Sequence, residues 1–249
     1  MNFQVTGAGE LIWQTGLFTR SKTTKFTLSN AEHTTGSKDR DKMLFFKLIL
    51  LVTAISFISY FMTTMIVDVA LLGRLDFYFS AKARAKDFLI TKANRIDFQD
   101  GFKCSGFSSA FVMRHWNISA DGNSAYEKMP NKMRGGYVYP KGIFNFLSKK
   151  GFKVKYCRGN LNSLKKEVAT GNPVIAMIKI RPDKNWLHYV PVVGYDGQNI
   201  FVAESLAELS NCNEPHYNRR IPAKEFKKLW NTAMPKMPLY ANTFFTVER

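Results

Sequence analysis

The feature that most constrains this chain of 249 residues is a stretch of 20 residues, 48–67, that carries no charged side chain. A helix of about 20 apolar residues matches the thickness of the hydrocarbon core of a bilayer. A surface helix of a soluble domain would carry a charged face, and this stretch has none. Its length and lack of charge therefore favour a membrane-spanning helix, with a fully buried core helix as the alternative.

The sequence on either side of this stretch predicts four regions. Residues 1–42 are polar and predict a disordered tail. Residues 43–73 would form the transmembrane anchor, 74–96 a helical stalk, and 97–249 the globular domain. The basic residues before the span lie closer to it than those after it, so a single-pass topology with an extracytoplasmic domain is expected. A cleaved signal peptide is disfavoured, because the apolar run is too long and no small-residue cleavage site follows closely.

The chain is strongly basic, with 36 Lys and Arg against 19 Asp and Glu and a formal net charge of +17. Such a balance favours an acidic partner, such as anionic lipid or an anionic envelope polymer. No zinc-finger spacing or RNA-binding signature accompanies the charge, so nucleic acid is not an expected partner. A solvated surface near a membrane is the simplest interpretation.

The periodicity of the globular part predicts helices early and strands later. The expected helices lie near 104–113, 140–150, 161–170 and 221–230, and the expected strands at 152–157, 174–180, 188–195, 199–204 and 242–248. Segregation of the two element types favours an α+β fold.

The chain contains three cysteines, Cys104, Cys157 and Cys212. An odd number leaves at least one thiol outside any internal disulfide, and that thiol is a candidate nucleophile. The alternative is that each is a small buried hydrophobic residue, and pairing of Cys157 with Cys212 stays open. Cys212 and His216 would supply only half of a zinc site, so no metal or cofactor is expected.

Four residues together have the pattern of a thiol hydrolase. Cys104 begins a predicted helix, whose dipole and unpaired amides would stabilise a thiolate. His188 opens a strand, and a hairpin turn brings the end of the next strand, with Glu204, back beside it. The carboxylate could then orient the imidazole. Gln99, five residues before the cysteine, could donate an amide hydrogen to an oxyanion.

The order of these residues resembles that of papain-like cysteine peptidases of the bacteriocin-processing type, the C39 family, and their stand-alone bacterial relatives. The resemblance covers about residues 95–210 and includes a Gly-aromatic-Asp turn, here 194–196. It implies a papain-like fold in which a helix carrying the cysteine packs on an antiparallel sheet carrying the histidine and the acid.

The same resemblance implies roles for individual residues. Cys104 would be the nucleophile, His188 the base, Glu204 the orienting acid and Gln99 the oxyanion donor. The sequence departs from the family pattern at two places. Ser105-Gly106 stands where Gly-Pro is usual, and Glu204 stands where Asp or Asn is usual.

The sequence therefore predicts a membrane-anchored cysteine peptidase that acts on a peptide or protein. It contains no Walker motif and one span, so a processing domain fused to an exporter is not expected. A cell-wall amidase or endopeptidase with the same chemistry is one alternative. A non-catalytic module that binds peptides or an envelope polymer is the other.

Overall fold

The computed structural model describes residues 32–235 and 237–249, and the chain divides into two compact units, 1–58 and 59–249. The helices are α1 (Glu32–Leu72), α2 (Cys104–His115), α3 (Gly122–Glu127), α4 (Pro140–Lys149), α5 (Leu161–Val168) and α6 (Ala223–Trp230). The strands are β1 (Asp76–Tyr78), β2 (Phe88–Leu89), β3 (Lys153–Gly159), β4 (Val174–Lys179), β5 (Leu187–Tyr195), β6 (Asn199–Val202), β7 (Arg219–Pro222) and β8 (Thr243–Glu248).

Within the described part of the chain, α1 contains one stretch long and apolar enough to cross a membrane, Lys38–Ala70, and a window of 18 residues within it has a mean hydropathy of 2.1. Its side chains from 38 to 63 are exposed. Gly73, with a φ of +95°, follows the last residue of α1, and this left-handed conformation commonly ends helices. Of the tail predicted to be disordered, residues 32–42 belong to α1, and residues 1–31 lie outside the described residues.

The prediction of a helical stalk over 74–96 is wrong. β1 pairs in parallel with β3, and β2 pairs antiparallel with β5, so this segment joins the sheet of the domain. Strands of two or three residues are too short to show a period-2 pattern. Their conformation is set by pairing with distant strands, which local sequence does not encode.

The sheet has the order β1-β3-β8-β4-β5-β6-β7, and only the β1–β3 pair on this path is parallel. The central strand β4 is buried on both faces. Ile175 and Met177 face a core shared with α2 and α4, whereas Val174 and Ile178 face a core shared with α5 and α6. The two helical layers around one sheet confirm the predicted α+β class.

Two contacts hold α2 in place, one with the sheet and one with α3. The Ser108 hydroxyl donates to the Tyr189 carbonyl oxygen in β5 at 2.9 Å. Near its start, α2 packs on α3 at Gly106, where a Cβ atom would lie 2.4 Å from the Gly122 oxygen and 2.6 Å from Tyr126 Cβ. Close packing of these two helices therefore requires glycine at 106, the position where the C39 pattern usually has proline.

We predict that Gly106→Ala destabilises the domain by about 1–3 kcal/mol, because the added methyl forces α2 and α3 apart. Urea unfolding followed by tryptophan fluorescence measures the loss. Gly197→Ala is the matched control, since nothing lies within 4 Å of its added methyl. Equal stability of the two variants would contradict the packing argument.

Candidate active site

Cys104 is the first residue of α2, and its side chain is 5% exposed. Lys103 precedes it without a side-chain cap, so the amides of the first turn are not shielded by a capping side chain. Unpaired amides and the helix dipole favour negative charge at this end. Cys104 therefore stands at a position where the backbone stabilises negative charge.

His188, near the start of β5, is 1% exposed and lies between Cys104 and Glu204. Its Nε2 atom is 2.7 Å from Glu204 Oε1. The Cys104 side chain lies close enough to the ring to raise the pKa of His188. Because Nε2 is engaged with the carboxylate, Nδ1 is the ring nitrogen that is left for a second partner. The structure thus brings the three residues together in the order sulfur, imidazole, carboxylate.

Glu204 lies just after β6 and is completely buried. Each of its carboxylate oxygens has a donor. Besides His188, Oε1 accepts from the Leu206 amide at 2.8 Å, and Oε2 accepts from Arg219 Nη1 at 2.8 Å. Asn218 fixes the Glu204 backbone, accepting from its amide at 2.7 Å and donating to its carbonyl oxygen at 2.9 Å. Glu204 is therefore held in place both at its carboxylate and at its backbone.

The electrostatics of this group favour a charged pair. Burial by itself lowers the pKa of His188, but the charge of Glu204 and hydrogen bonds to Cys104 and Glu204 outweigh it and raise that pKa to about 10. Burial by itself raises the pKa of Glu204, but the charge and hydrogen bond of His188, the charge of Arg219 and the Leu206 amide lower it to about 2. An imidazolium beside a carboxylate is the expected state at neutral pH.

Gln99 is tied to the residue that follows Glu204. The backbone N–H of Gln99 donates to the Ser205 carbonyl oxygen at 2.8 Å, and the side-chain Oε1 accepts from the Ser205 hydroxyl at 2.7 Å. Its Nε2 donates to the Gly101 carbonyl oxygen at 2.6 Å, in the turn that leads to Cys104. The side-chain amide is thus oriented by contacts on both sides, and Nε2 carries a second hydrogen for a further acceptor.

Sequence reasoning missed Arg219 and Asn218. The alternation of β7, which buries Arg219 together with Ile221 and exposes Arg220, is the signal that would have found the arginine, but the sequence predicted that Ile221 begins a helix. A buried arginine in a strand needs a partner such as a carboxylate. The asparagine gave no such signal, since it lies outside the strand and acts on the backbone.

The other cysteines lie outside this group. Cys157 and Cys212 are free thiols, and burial raises the pKa of both, that of Cys157 to about 12. Among the described residues, no three His, Cys, Asp or Glu side chains are placed to hold a metal ion, and Cys212 with His216 forms no such cluster.

A cavity of about 340 Å³ opens beside Cys104. Its lining is mostly apolar and aromatic. The lining residues are Leu72, Cys104, Met133, Tyr137, Val138, Pro140, Met177, Asn185, Trp186, Leu187, Tyr189, Met234 and Met237. A largely apolar concave site with a few polar groups is typical of a ligand-binding pocket.

We predict that Arg219→Met lowers the free energy of unfolding by about 3–5 kcal/mol at pH 7, because it removes one partner of a buried ion pair. The lowered pKa of Glu204 contributes stability above its ordinary value of 4.5, which is lost as the pH falls towards 2. The variant retains less of this contribution. The difference between the two proteins should therefore shrink between pH 5 and pH 2.

Urea unfolding at a series of pH values measures both effects. Arg220→Met is the control, because the neighbouring arginine is exposed and hydrogen-bonds the Tyr217 hydroxyl instead. A loss of the same size in both variants, or one that does not change with pH, would argue against the ion pair as its cause.

Comparisons with known proteins identify the family to which the chain belongs. A family model described as the Peptidase_C39 like family matches residues 92–236. A protein from Bacillus anthracis described as a C39-like peptidase has a TM-score of 0.51 at 14% identity, with 66% of this chain and 98% of that one covered. The peptidase domain of Streptococcus ComA, a bifunctional ABC transporter, has a TM-score of 0.49 at 13% identity, covering 63% and 98%.

A double-glycine-motif protease from an AMS/PCAT transporter, solved with its leader peptide, has a TM-score of 0.45 at 14% identity, covering 64% of this chain and 96% of that one. None of the curated protein sequences compared with the chain matches it. The likeness to the Bacillus anthracis structure supports the papain-like α+β fold. Since the family model matches more than half of the sequence, the chain belongs to the Peptidase_C39-like family of cysteine-peptidase-type hydrolases.

Proposed function

We propose that this protein is a membrane-anchored cysteine peptidase and that Cys104, His188 and Glu204 carry out the reaction. The observation that carries the proposal is the buried chain of contacts from the Cys104 thiol through His188 to Glu204 Oε1, 2.7 Å from Nε2. A nucleophile beside a base that is oriented by a third group is the recurring arrangement of covalent hydrolases.

The arrangement supports a two-step hydrolysis. The Cys104 thiolate attacks the peptide carbonyl carbon, and the His188 imidazolium gives its proton to the leaving amine as the C–N bond breaks. The neutral imidazole then takes a proton from water, whose oxygen displaces the thiolate from the acyl group. Glu204 keeps the ring oriented throughout, and Gln99 Nε2 offers its second hydrogen to the developing oxyanion.

The cavity beside Cys104 favours a peptide over a charged polymer. Its described lining contains no Lys, Arg, Asp or Glu side chain, although the whole chain carries a net charge of +17. The basic charge therefore lies elsewhere on the protein. An apolar side chain near the scissile bond would fill this cavity, and a carboxylate or phosphate would lose its hydration there without a partner.

The proposal places α1 in the membrane and residues 74–249 in the peptidase domain, on the extracytoplasmic side. Support for the anchor comes from the length and hydropathy of Lys38–Ala70. It also comes from the exposed apolar side chains of this stretch, because a soluble protein rarely leaves so large an apolar surface exposed to water. This boundary differs from the sequence prediction, because the segment from 74 to 96 contributes strands to the sheet.

We predict that iodoacetamide alkylates Cys104 far faster than Cys157 or Cys212 at pH 7. The thiolate is the reactive form, and a thiol with a pKa of about 12, as at Cys157, is almost entirely protonated. His188→Ala should slow alkylation of Cys104 and abolish peptide cleavage, because it removes the partner of the thiolate. Mass spectrometry of the alkylated peptides measures the three rates.

His115→Ala is the control for this test, since His115 is also buried but ends α2, the helix that Cys104 begins. It should leave alkylation of Cys104 unchanged. Equal alkylation of all three cysteines, or equal slowing by both histidine variants, would count against the catalytic assignment. A fast Cys104 without cleavage of any peptide, together with release of amines from purified cell wall, would favour the amidase alternative.

We also predict that a protease added to spheroplasts digests the domain and leaves a protected fragment that contains α1. Antibodies to the two ends of the chain, applied after digestion, distinguish the orientations. Lysed spheroplasts provide the control for protease activity. Protection of the domain until lysis would place it in the cytoplasm and overturn the proposed topology.

A further inference from the structure

One residue, Leu72, belongs both to α1 and to the active-site cavity. It is the last residue of α1, it is 4% exposed, and it lines the cavity beside Cys104. It packs in the same core cluster as Cys104, Val138 and Met177. The end of the proposed membrane helix therefore forms part of the wall of the substrate site.

Several contacts within the unit 59–249 fix this end of α1 to the domain. Lys141 Nζ donates to the Ala70 carbonyl oxygen at 3.0 Å, and the Tyr240 hydroxyl donates to the Gly73 carbonyl oxygen at 2.9 Å. Asp68 is buried, one helical turn before Leu72. The cavity and the helix end are thus parts of one packed structure.

The position of Leu72 along α1 sets the level of the cavity relative to a bilayer. Leu72 follows Val67, the last residue of the charge-free stretch, by five residues, or about 7–8 Å of helix. The headgroup layer on each side of the hydrocarbon core is about 5–7 Å thick. Thr64 and Met65, inside the charge-free stretch, are already half-buried. With the charge-free stretch in the hydrocarbon core, the cavity wall at Leu72 would lie at the outer edge of the headgroup layer.

The mouth of the cavity is apolar as well as its interior. Trp186 is 59% exposed, and Met133 is also exposed. Large exposed apolar side chains are costly in water but are common at the membrane interface, where tryptophan is enriched. Methionine side chains adapt to apolar partners of differing shape. Such a mouth suits a ligand that arrives along the bilayer surface.

We infer that the enzyme cleaves membrane-bound peptides: the scissile bond lies in an apolar segment held at the bilayer surface and enters the cavity past Leu72. This inference rests on the proposed peptidase function and names its substrate class. It requires that a reagent in the headgroup layer can reach Cys104. This accessibility can be measured without catalytic turnover.

The position is tested with the full chain carrying Cys157→Ser and Cys212→Ser, reconstituted in vesicles of phosphatidylethanolamine and phosphatidylglycerol. One vesicle set contains a maleimide attached directly to the headgroup of phosphatidylethanolamine, and a second contains it on a long polyethylene glycol spacer. Similar labelling of Cys104 in both sets is expected. Labelling by the spaced reagent alone would overturn the inference. A triple variant that also carries Cys104→Ser gives the background.

The substrate class is tested with random-sequence peptides joined to a lipid through tethers of increasing length. A tether of three residues reaches about 10 Å, which suffices if the cavity lies at the headgroups. We expect cleavage with the shortest tethers and enrichment of apolar residues at the cut sites. Cleavage that requires long tethers would overturn the inference and leave the peptidase in place. Labelling at headgroup level without cleavage of any peptide would overturn the proposed function and, with it, the substrate class.

Discussion

The carboxylate of Glu204 is a charge with no exposure to solvent, and the arrangement of the site depends on how that charge is stabilised. A buried ion that lacks partners costs several kcal/mol, so its donors must all be in place when the domain is folded. These donors come from β5, from the loop after β6 and from the start of β7. The hydrogen bonds of Glu204 therefore join the start of β5, the loop after β6 and the start of β7.

Glutamate is one methylene longer than the usual Asp or Asn, and its two carboxylate oxygens have separate donors. One oxygen serves the imidazole and the Leu206 amide, and the other serves Arg219. A shorter acid at the same backbone position would reach less far towards both partners. Asn218 holds the backbone of residue 204 from the other side. The departure from the family pattern is thus compensated by an arginine that sequence reasoning did not weigh.

What the sequence predicted well was local, and what it missed was set by distant contacts. The helix beginning at Cys104 and the strands around Asp196-Gly197 follow from periodicity and turn residues, and the structure contains both. The strands β1 and β2 were taken for a helical stalk, because pairing with β3 and β5 decides their conformation. Glu204 was found through its place after a hairpin strand, whereas Arg219 becomes meaningful only beside a carboxylate 15 residues earlier in the chain.

The net charge of the protein and the lining of its cavity act over different distances. A net charge of +17 acts over the Debye length, about 8–10 Å at physiological salt, and draws the protein towards anionic surfaces. The cavity beside Cys104 has no charged residue in its described lining, and a pocket of this kind would select a ligand over contact distances, by shape and apolar area. In the proposed arrangement, with α1 in a membrane, surface charge would bias where the domain lies and the cavity would decide what it binds. Composition alone therefore pointed to an anionic partner, while the lining of the cavity favours an apolar peptide.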